Sequence, residues 1–134
     1  MNLCFDECMP PAWFRRLNDF LQRRKSPINA VHLLDKLKSG AKDDRITEWL
    51  VEQTPPMMVI SGDSGRKSKK GDPRLHLLCP RNGITSVFIS PRLCQEEGFE
   101  KVRMVMVCVP ELEQAYDGAR GSRYRLMRSS YAYR

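Results

Sequence analysis

The apolar residues of the chain alternate between short continuous runs and longer stretches in which they recur every three or four residues. Short runs bounded by Pro, Gly or Ser are typical of buried strands, whereas recurrence at three and four residues is typical of one helical face. The pattern predicts five strands, at residues 2–5, 28–34, 57–60, 84–89 and 124–127.

Helices are predicted between these strands. The first opens at Pro11, because proline is tolerated in the first turn of a helix. Asp43 and Asp72 are expected to cap the second and third helices, since a carboxylate accepts hydrogen bonds from the unpaired N–H groups there. Residues 99–116 fit a helical face that bends near Pro110.

Strands that alternate with helices predict an α/β fold of three layers, α/β/α, around a mostly parallel central sheet with right-handed connections. The chain fits a single domain, 1–134, with a basic C-terminal tail at 118–134. No apolar stretch reaches the ~20 residues that a membrane-spanning helix needs. Acids and prolines near the N-terminus also interrupt the apolar segment of a signal peptide. We therefore expect a cytoplasmic protein with no membrane partner.

Acidic residues follow three of the predicted strands. Asp6 follows the first strand, Asp43 follows the second at the start of a helix, and Asp63 follows the third. Parallel strands gather their carboxyl ends at one edge of a sheet, so these acids are expected to converge, with Glu7 and Asp44 nearby. Converging carboxylates repel unless a cation intervenes, and Mg²⁺ and Mn²⁺ prefer oxygen ligands. The alternative of plain capping stays open, most of all for Asp43.

Basic residues are concentrated in two segments of a chain whose net charge is +7. Such blocks favour a polyanion through counterion release, although a solvated surface explains the charge equally well. The candidate nucleic-acid contacts are Arg66, Lys67, Lys69 and Lys70 in the loop after Asp63, and Arg120 and Arg123 in the tail.

The cysteine and histidine residues do not indicate a separate site. The five cysteines are odd in number and contain no CxxC pair, which favours reduced, mostly buried thiols over disulfides or a zinc site. His32 lies within a predicted strand and is interpreted as a packed core imidazole rather than a catalytic base.

Three segments together resemble a known family. They are Phe-Asp-Glu-Cys-Met-Pro at 5–10, Gly-Ala-Lys-Asp-Asp-Arg-Ile at 40–46 and Val-Ile-Ser-Gly-Asp at 59–63, and they span the first half of the chain. In order and approximate spacing they resemble the small PIN-like domains, the nuclease fold shared by VapC-type toxins and RNA-processing nucleases, and particularly its shortened bacterial branch. The resemblance implies that Asp6, Asp43 and Asp63 are the catalytic, metal-binding carboxylates of a Mg²⁺- or Mn²⁺-dependent ribonuclease.

The sequence also departs from the family pattern. Fuller PIN domains carry a further acid on a helix between the first two aspartates. Here that segment is expected to be too short to contain that helix, so either Glu7 or Asp44 substitutes for the acid or the site binds metal weakly. Ser61 stands where the family more often has threonine, and it is still able to hydrogen-bond the site.

Two functions follow from the resemblance. The first is a metal-dependent ribonuclease, in one version the toxin of a toxin–antitoxin pair. The alternative is a catalytically inactive PIN-like module that binds RNA or a protein. The expected partners are RNA and, for a toxin, an antitoxin protein, with a homodimer as a further option.

Overall fold

The computed structural model describes residues 1–6, 9–38, 40–62, 75–89 and 98–126. The strands are β1 Asn2–Phe5, β2 Asn29–His32, β3 Met57–Ser61, β4 Ser86–Ile89 and β5 Arg123–Leu126. The helices of the described residues are α1 Pro11–Arg23, α2 Asp43–Val51, α3 Leu75–Arg81, α4 Gly98–Val107 and α5 Val109–Asp117, with a short 3-10 turn at Leu33–Asp35.

The strands form one five-stranded sheet in the order β2-β1-β3-β4-β5. Every neighbouring pair is parallel, and β1 lies in register between β2 and β3, with Phe5 opposite His32 on one side and Ile60 on the other. Parallel sheets need cover on both faces, which explains why β3 and β4 are buried along their whole length. The predicted three-layer α/β/α fold is confirmed.

Alternation along the strands divides the core into two clusters. Leu3 and Phe5 of β1 point to the face covered by α1, α4 and α5, where Phe14, Met104 and Leu112 are buried. Cys4 points to the opposite face, where α2 and α3 contribute residues such as Leu50 and Cys79. We call these the α1 face and the α2 face. Side chains at the ends of β1 and β3 are thereby assigned to one layer or the other.

The helices that cover the two faces come from different parts of the chain. The α1 face carries α1, which lies between β1 and β2, and α4 and α5, which precede β5. The α2 face carries α2 and α3.

Most predicted elements are confirmed, with differences at their ends. The segment 99–116 forms two helices that meet at Cys108, and Pro110 occupies the first turn of α5, where its missing N–H costs nothing. The strand predicted at 28–34 ends at His32, where the chain enters the 3-10 turn. Among the described helices, none combines the length and apolar character needed to cross a bilayer.

Candidate functional site

The sheet order places a topological switch point at the carboxyl ends of β1 and β3, and we call the region above these two ends the crevice. From these adjacent strands the connections depart in opposite directions, since β1 leads to β2 on one side and β3 leads to β4 on the other. In doubly wound sheets ligands bind at such a switch point. Asp6 is the first residue after β1, and β3 ends at Ser61.

Asp6 is held in this crevice by its backbone and its side chain. Its N–H donates to the Ile60 carbonyl at 3.1 Å, which extends the pairing of β1 with β3 by one residue. The Ser61 hydroxyl donates to Oδ2 of Asp6 at 2.5 Å, in agreement with the expectation that Ser61 hydrogen-bonds the site. Ser61 is fully buried and Asp6 is half-buried, so the carboxylate has a defined orientation at the rim of the core.

His32 anchors the segment that follows Asp6. The backbone N–H of Leu34 donates to Nδ1 of His32 at 3.1 Å, so the ring hydrogen is assigned to Nε2, which lies 2.7 Å from the carbonyl oxygen of Met9. The ring also packs edge-on against Phe14, with 5.2 Å between the centroids. Nε2 thus joins the end of β2 to the turn after β1, and Nδ1 caps the 3-10 turn that follows β2. The interpretation of His32 as a packed core residue is confirmed, although it stands at the end of its strand and not in the middle.

Cys4 lies beneath Asp6 on the α2 face and is fully buried. The pKa of its thiol is raised from 9.0 to about 12, mainly by burial and to a smaller extent by the nearby groups of Asp6 and Cys79. Such a thiol stays protonated and is a poor nucleophile or metal ligand. Cys4, Cys79 and Cys108 are buried thiols that form no disulfide with one another, as predicted, while Cys8 and Cys94 lie outside the described residues.

Helix α2 contributes the second aspartate. Its N-cap is Lys42, which makes no side-chain capping bond, and Asp43 is the first helical residue, so the prediction of Asp43 as N-cap is wrong by one position. Asp43 is half-buried, and its carbonyl accepts a hydrogen bond from the Thr47 hydroxyl at 2.8 Å. Negative charge in the first turn suits the helix dipole. Because α2 runs back from the carboxyl end of β2 toward β3, its N-terminus lies at the same edge of the sheet as Asp6.

Asp44 is exposed at the surface. It lines a groove of about 530 Å³ between α2 and α3 and a second groove of about 600 Å³ beside the residues that precede α2. Glu48 lines both grooves as well, whereas neither Asp6 nor Asp43 lines either of them. These grooves therefore follow the outer side of α2 and are separate from the crevice above β1 and β3.

Several predicted site residues lie outside the described residues. They are Glu7, Asp63, Arg66, Lys67, Lys69 and Lys70. Within the described ranges, no group of three or more acidic, cysteine or histidine side chains is close enough to hold a metal ion. The structure therefore places Asp6 and Asp43 at one edge of the sheet and leaves the third aspartate, which follows β3 by two residues, as a prediction.

Arg120 and Arg123, the two tail residues predicted to contact nucleic acid, lie toward the other end of the sheet. Arg123 is the first residue of β5 and pairs in register with Ser86, the first residue of β4. Amino ends of parallel strands gather opposite the edge that holds Asp6, about 13 Å away for strands of four residues. The Arg120 guanidinium lies over the Tyr116 ring, 5.4 Å from its centroid. Any phosphate bound by this pair is therefore held away from the carboxylates.

Comparison with known proteins identifies no relative. No family model matches the chain, no curated protein matches it, and no solved structure matches it. The support for a function therefore comes from the residues themselves.

Sequence reasoning missed the contribution of Met9, whose carbonyl accepts the hydrogen bond from His32, because no local pattern signals a contact between a turn and a strand 23 residues later.

Proposed function

We propose that this protein is a metal-dependent ribonuclease with a PIN-like site formed by Asp6, Asp43 and Asp63. The observation that carries the proposal is the position of Asp6 at the switch point of the sheet, oriented by Ser61. Asp43 begins the helix that starts at the same edge, and Asp63 follows the neighbouring strand by two residues. A residue that only caps a helix or forms a turn does not need a buried hydroxyl that orients its carboxylate at this edge of the sheet.

The donor atoms fit Mg²⁺ or Mn²⁺. Carboxylate and hydroxyl oxygens are hard ligands, and the thiol of Cys4, two residues before Asp6, is kept protonated by burial and lies in the core. Asp6, Asp43 and Asp63 would hold the ion, with Glu7 or Asp44 as additional acids. When bound, such an ion supplies an activated water and stabilises charge that develops on a phosphodiester.

The protein's own groups prepare the crevice for an RNA phosphate. Ser61 orients the Asp6 carboxylate, and the hydrogen bonds of His32 hold the turn that follows it. The cations Arg66, Lys67, Lys69 and Lys70 come directly after Asp63 in sequence, which suits them to hold the phosphate backbone near the acids. The protein would act on RNA in the cytoplasm, and a toxin of this kind would be restrained by an antitoxin protein.

One observation favours the alternative, an inactive PIN-like module that binds RNA or a protein. The acid that helix α1 offers is Asp19, whose side chain is exposed and forms an ion pair with Arg23 at 3.2 Å. It is therefore directed to solvent and is not available as the further acid of fuller PIN domains. Three aspartates without that acid bind a divalent ion less tightly, because affinity depends on the number of charged ligands.

Cleavage of a labelled single-stranded RNA separates these functions. We expect cleavage with Mn²⁺ and none with EDTA. Asp6→Asn, Asp43→Asn and Asp63→Asn each remove a charged ligand but keep its shape. We expect each to reduce the rate by more than the roughly 10–100-fold that loss of an outer-shell partner costs. Asp19→Asn is the matched control and should cleave normally, because its carboxylate pairs with Arg23 at the surface. Equal rates in all four variants would exclude the proposed site.

A further inference from the structure

One side of helix α1 carries two aromatic rings, each covered by an arginine. The Arg16 guanidinium lies 4.7 Å from the centroid of the Trp13 ring, and the Arg24 guanidinium lies 4.3 Å from that of Phe20. Residues three and four apart in a helix are neighbours on its surface, so Trp13, Arg16, Phe20 and Arg24 form one continuous line. This line, which we call the arginine–aromatic stripe, extends about 16 Å along the helix axis.

Exposed aromatic rings lie on the stripe and directly beside it. Phe20 is 39% exposed, and Phe99 of α4, which meets the Trp13 ring edge-on with 6.3 Å between centroids, is 58% exposed. Single exposed apolar residues are ordinary, but three aromatic rings arranged along one surface mark a binding region.

Among the described residues, no acidic side chain pairs with the two arginines of the stripe. Within the described part of the chain, Arg16 and Arg24 form no ion pair, whereas Arg23 on the same helix pairs with Asp19. The two guanidinium groups thus add positive charge to the aromatic surface. The ligand that fits is an anion with flat apolar groups.

We propose that the arginine–aromatic stripe binds single-stranded nucleic acid. Bases stack on aromatic rings and on guanidinium planes, and phosphates pair with the guanidinium charge, so the alternation of rings and cations matches the alternation of bases and phosphates. An acidic protein surface would satisfy the arginines but has no need of flat rings beside them. Nucleic acid therefore accounts for both features of the stripe.

This site is separate from the carboxylate crevice. Helix α1 packs on one face of the sheet, whereas Ser61 and Cys4 at the crevice point to the other. The inference does not rest on cleavage, because a protein without ribonuclease activity can still bind through α1. In an active ribonuclease, the stripe would hold a strand away from the site of reaction.

Tryptophan fluorescence tests the stacking directly, because the two tryptophans of the chain lie on different layers. Trp13 belongs to the stripe, whereas Trp49 packs against the core of the α2 face. The variant Trp49→Phe leaves Trp13 as the reporter, and the variant Trp13→Phe leaves Trp49 as the control. We expect a uridine oligonucleotide to quench Trp13 and not Trp49. Inorganic polyphosphate, which has charge but no bases, should leave Trp13 emission nearly unchanged.

Affinity variants test the same surface by a second measurement. Arg16→Gln combined with Arg24→Gln should reduce the salt dependence of oligonucleotide binding by about 1.4 log–log units for two lost phosphate contacts. Phe20→Ala should weaken binding about tenfold through the loss of one stacked base. The matched control combines Arg23→Gln with Arg45→Gln, which removes the same charge from ion-paired positions and should leave the slope almost unchanged.

Two results would overturn the inference. In the first, an oligonucleotide binds without quenching Trp13, and the double arginine variant of the stripe binds it with the same salt dependence as the control. The nucleic acid would then bind elsewhere. The other is the absence of any binding at low salt, which would leave an acidic protein surface as the occupant of the stripe.

Discussion

The Ser61 hydroxyl donates a hydrogen bond of 2.5 Å to the Asp6 carboxylate and so joins side chains that are 55 positions apart in sequence. The two residues stand where β3 ends and β1 has just ended, at the point from which the chain connections depart in opposite directions. A buried hydroxyl thus orients a half-buried carboxylate toward the crevice. Because Ser61 is fully buried, solvent reaches this bond only from the side of the Asp6 carboxylate.

Replacing Ser61 with alanine should destabilise the protein. A hydrogen bond to a charged group contributes about 1.5–3 kcal/mol, so we expect a loss of that size in the free energy of unfolding measured with urea. Ser122→Ala is the matched control, because the Ser122 hydroxyl donates to the Ala119 carbonyl at an exposed turn. We expect the control to change stability by less than about 0.5 kcal/mol. If both variants lose the same free energy of unfolding, the bond between Ser61 and Asp6 stabilises the protein no more than the exposed bond does.

Replacing His32 with phenylalanine should lower stability without removing a catalytic group. The substitution keeps a ring beside Phe14 but leaves the Leu34 N–H and the Met9 carbonyl without their partner. Each unsatisfied buried group costs about 1–3 kcal/mol, so the loss should be about 2–5 kcal/mol by urea unfolding. At urea concentrations below its unfolding transition, the folded variant should cleave RNA at a rate within a few-fold of the parent rate. A complete loss of cleavage in a folded variant would mean that His32 acts in the reaction.

The Cys4 thiol should make the protein sensitive to alkaline pH. Its pKa is raised by burial from 9.0 to about 12, so the folded state retains a proton that the unfolded state releases. The Cys4 thiol therefore stabilises the folded state fully below pH 9, and this stabilisation is lost as the pH rises from about 9 to about 12. Across this window the free energy of unfolding should fall by about 1 kcal/mol per pH unit more in the parent than in Cys4→Ala.

Asp6→Asn distinguishes the two causes of this shift. Burial is the largest cause and the charge of Asp6 is a smaller one, so the variant should keep most of the alkaline sensitivity. Equal alkaline slopes for the parent and Cys4→Ala would show that Cys4 titrates normally, and a slope abolished by Asp6→Asn would show that charge dominates over burial.

Manganese should raise the melting temperature of the protein. The proposed site gathers carboxylates that repel one another, and an ion that binds only the folded state stabilises it by about 2.7 kcal/mol at 100 times its Kd. We expect a rise of several degrees at millimolar Mn²⁺ in the parent and in Asp19→Asn, whose carboxylate lies at the surface of α1. The rise should be much smaller in Asp6→Asn. An equal rise in all three proteins would indicate binding elsewhere, and no rise in the parent would favour the inactive module.

Local sequence patterns predicted the helices and strands better than they predicted how these elements pack together. The strand at 2–5 and the break near Pro110 follow from runs and spacings of neighbouring residues, and both are present in the structure. The end of β2 was not predictable in this way, because His32 turns the chain by accepting a hydrogen bond from Leu34. The packing of α4 against α1 was not predictable either, because no local pattern reports a contact between helices so far apart in sequence.

The candidate site was also predictable from the sequence only in part. The acid after each strand is visible in the sequence, and the parallel sheet explains why Asp6 and Asp43 lie at one edge. The position of the tail arginines was not predictable, because it depends on which end of β5 they occupy. Arg123 begins that strand, and so it lies at the edge away from Asp6.

Anomalous diffraction from a crystal soaked in Mn²⁺ tests the central claim, a metal site shared by Asp6, Asp43 and Asp63, most directly. We expect one strong anomalous peak in the crevice above β1 and β3, within coordination distance of carboxylate oxygens from all three residues. The peak should be absent from crystals of Asp6→Asn and present in crystals of Asp19→Asn. No peak at this edge of the sheet, or a peak that any of the three carboxylates does not reach, would contradict the shared site.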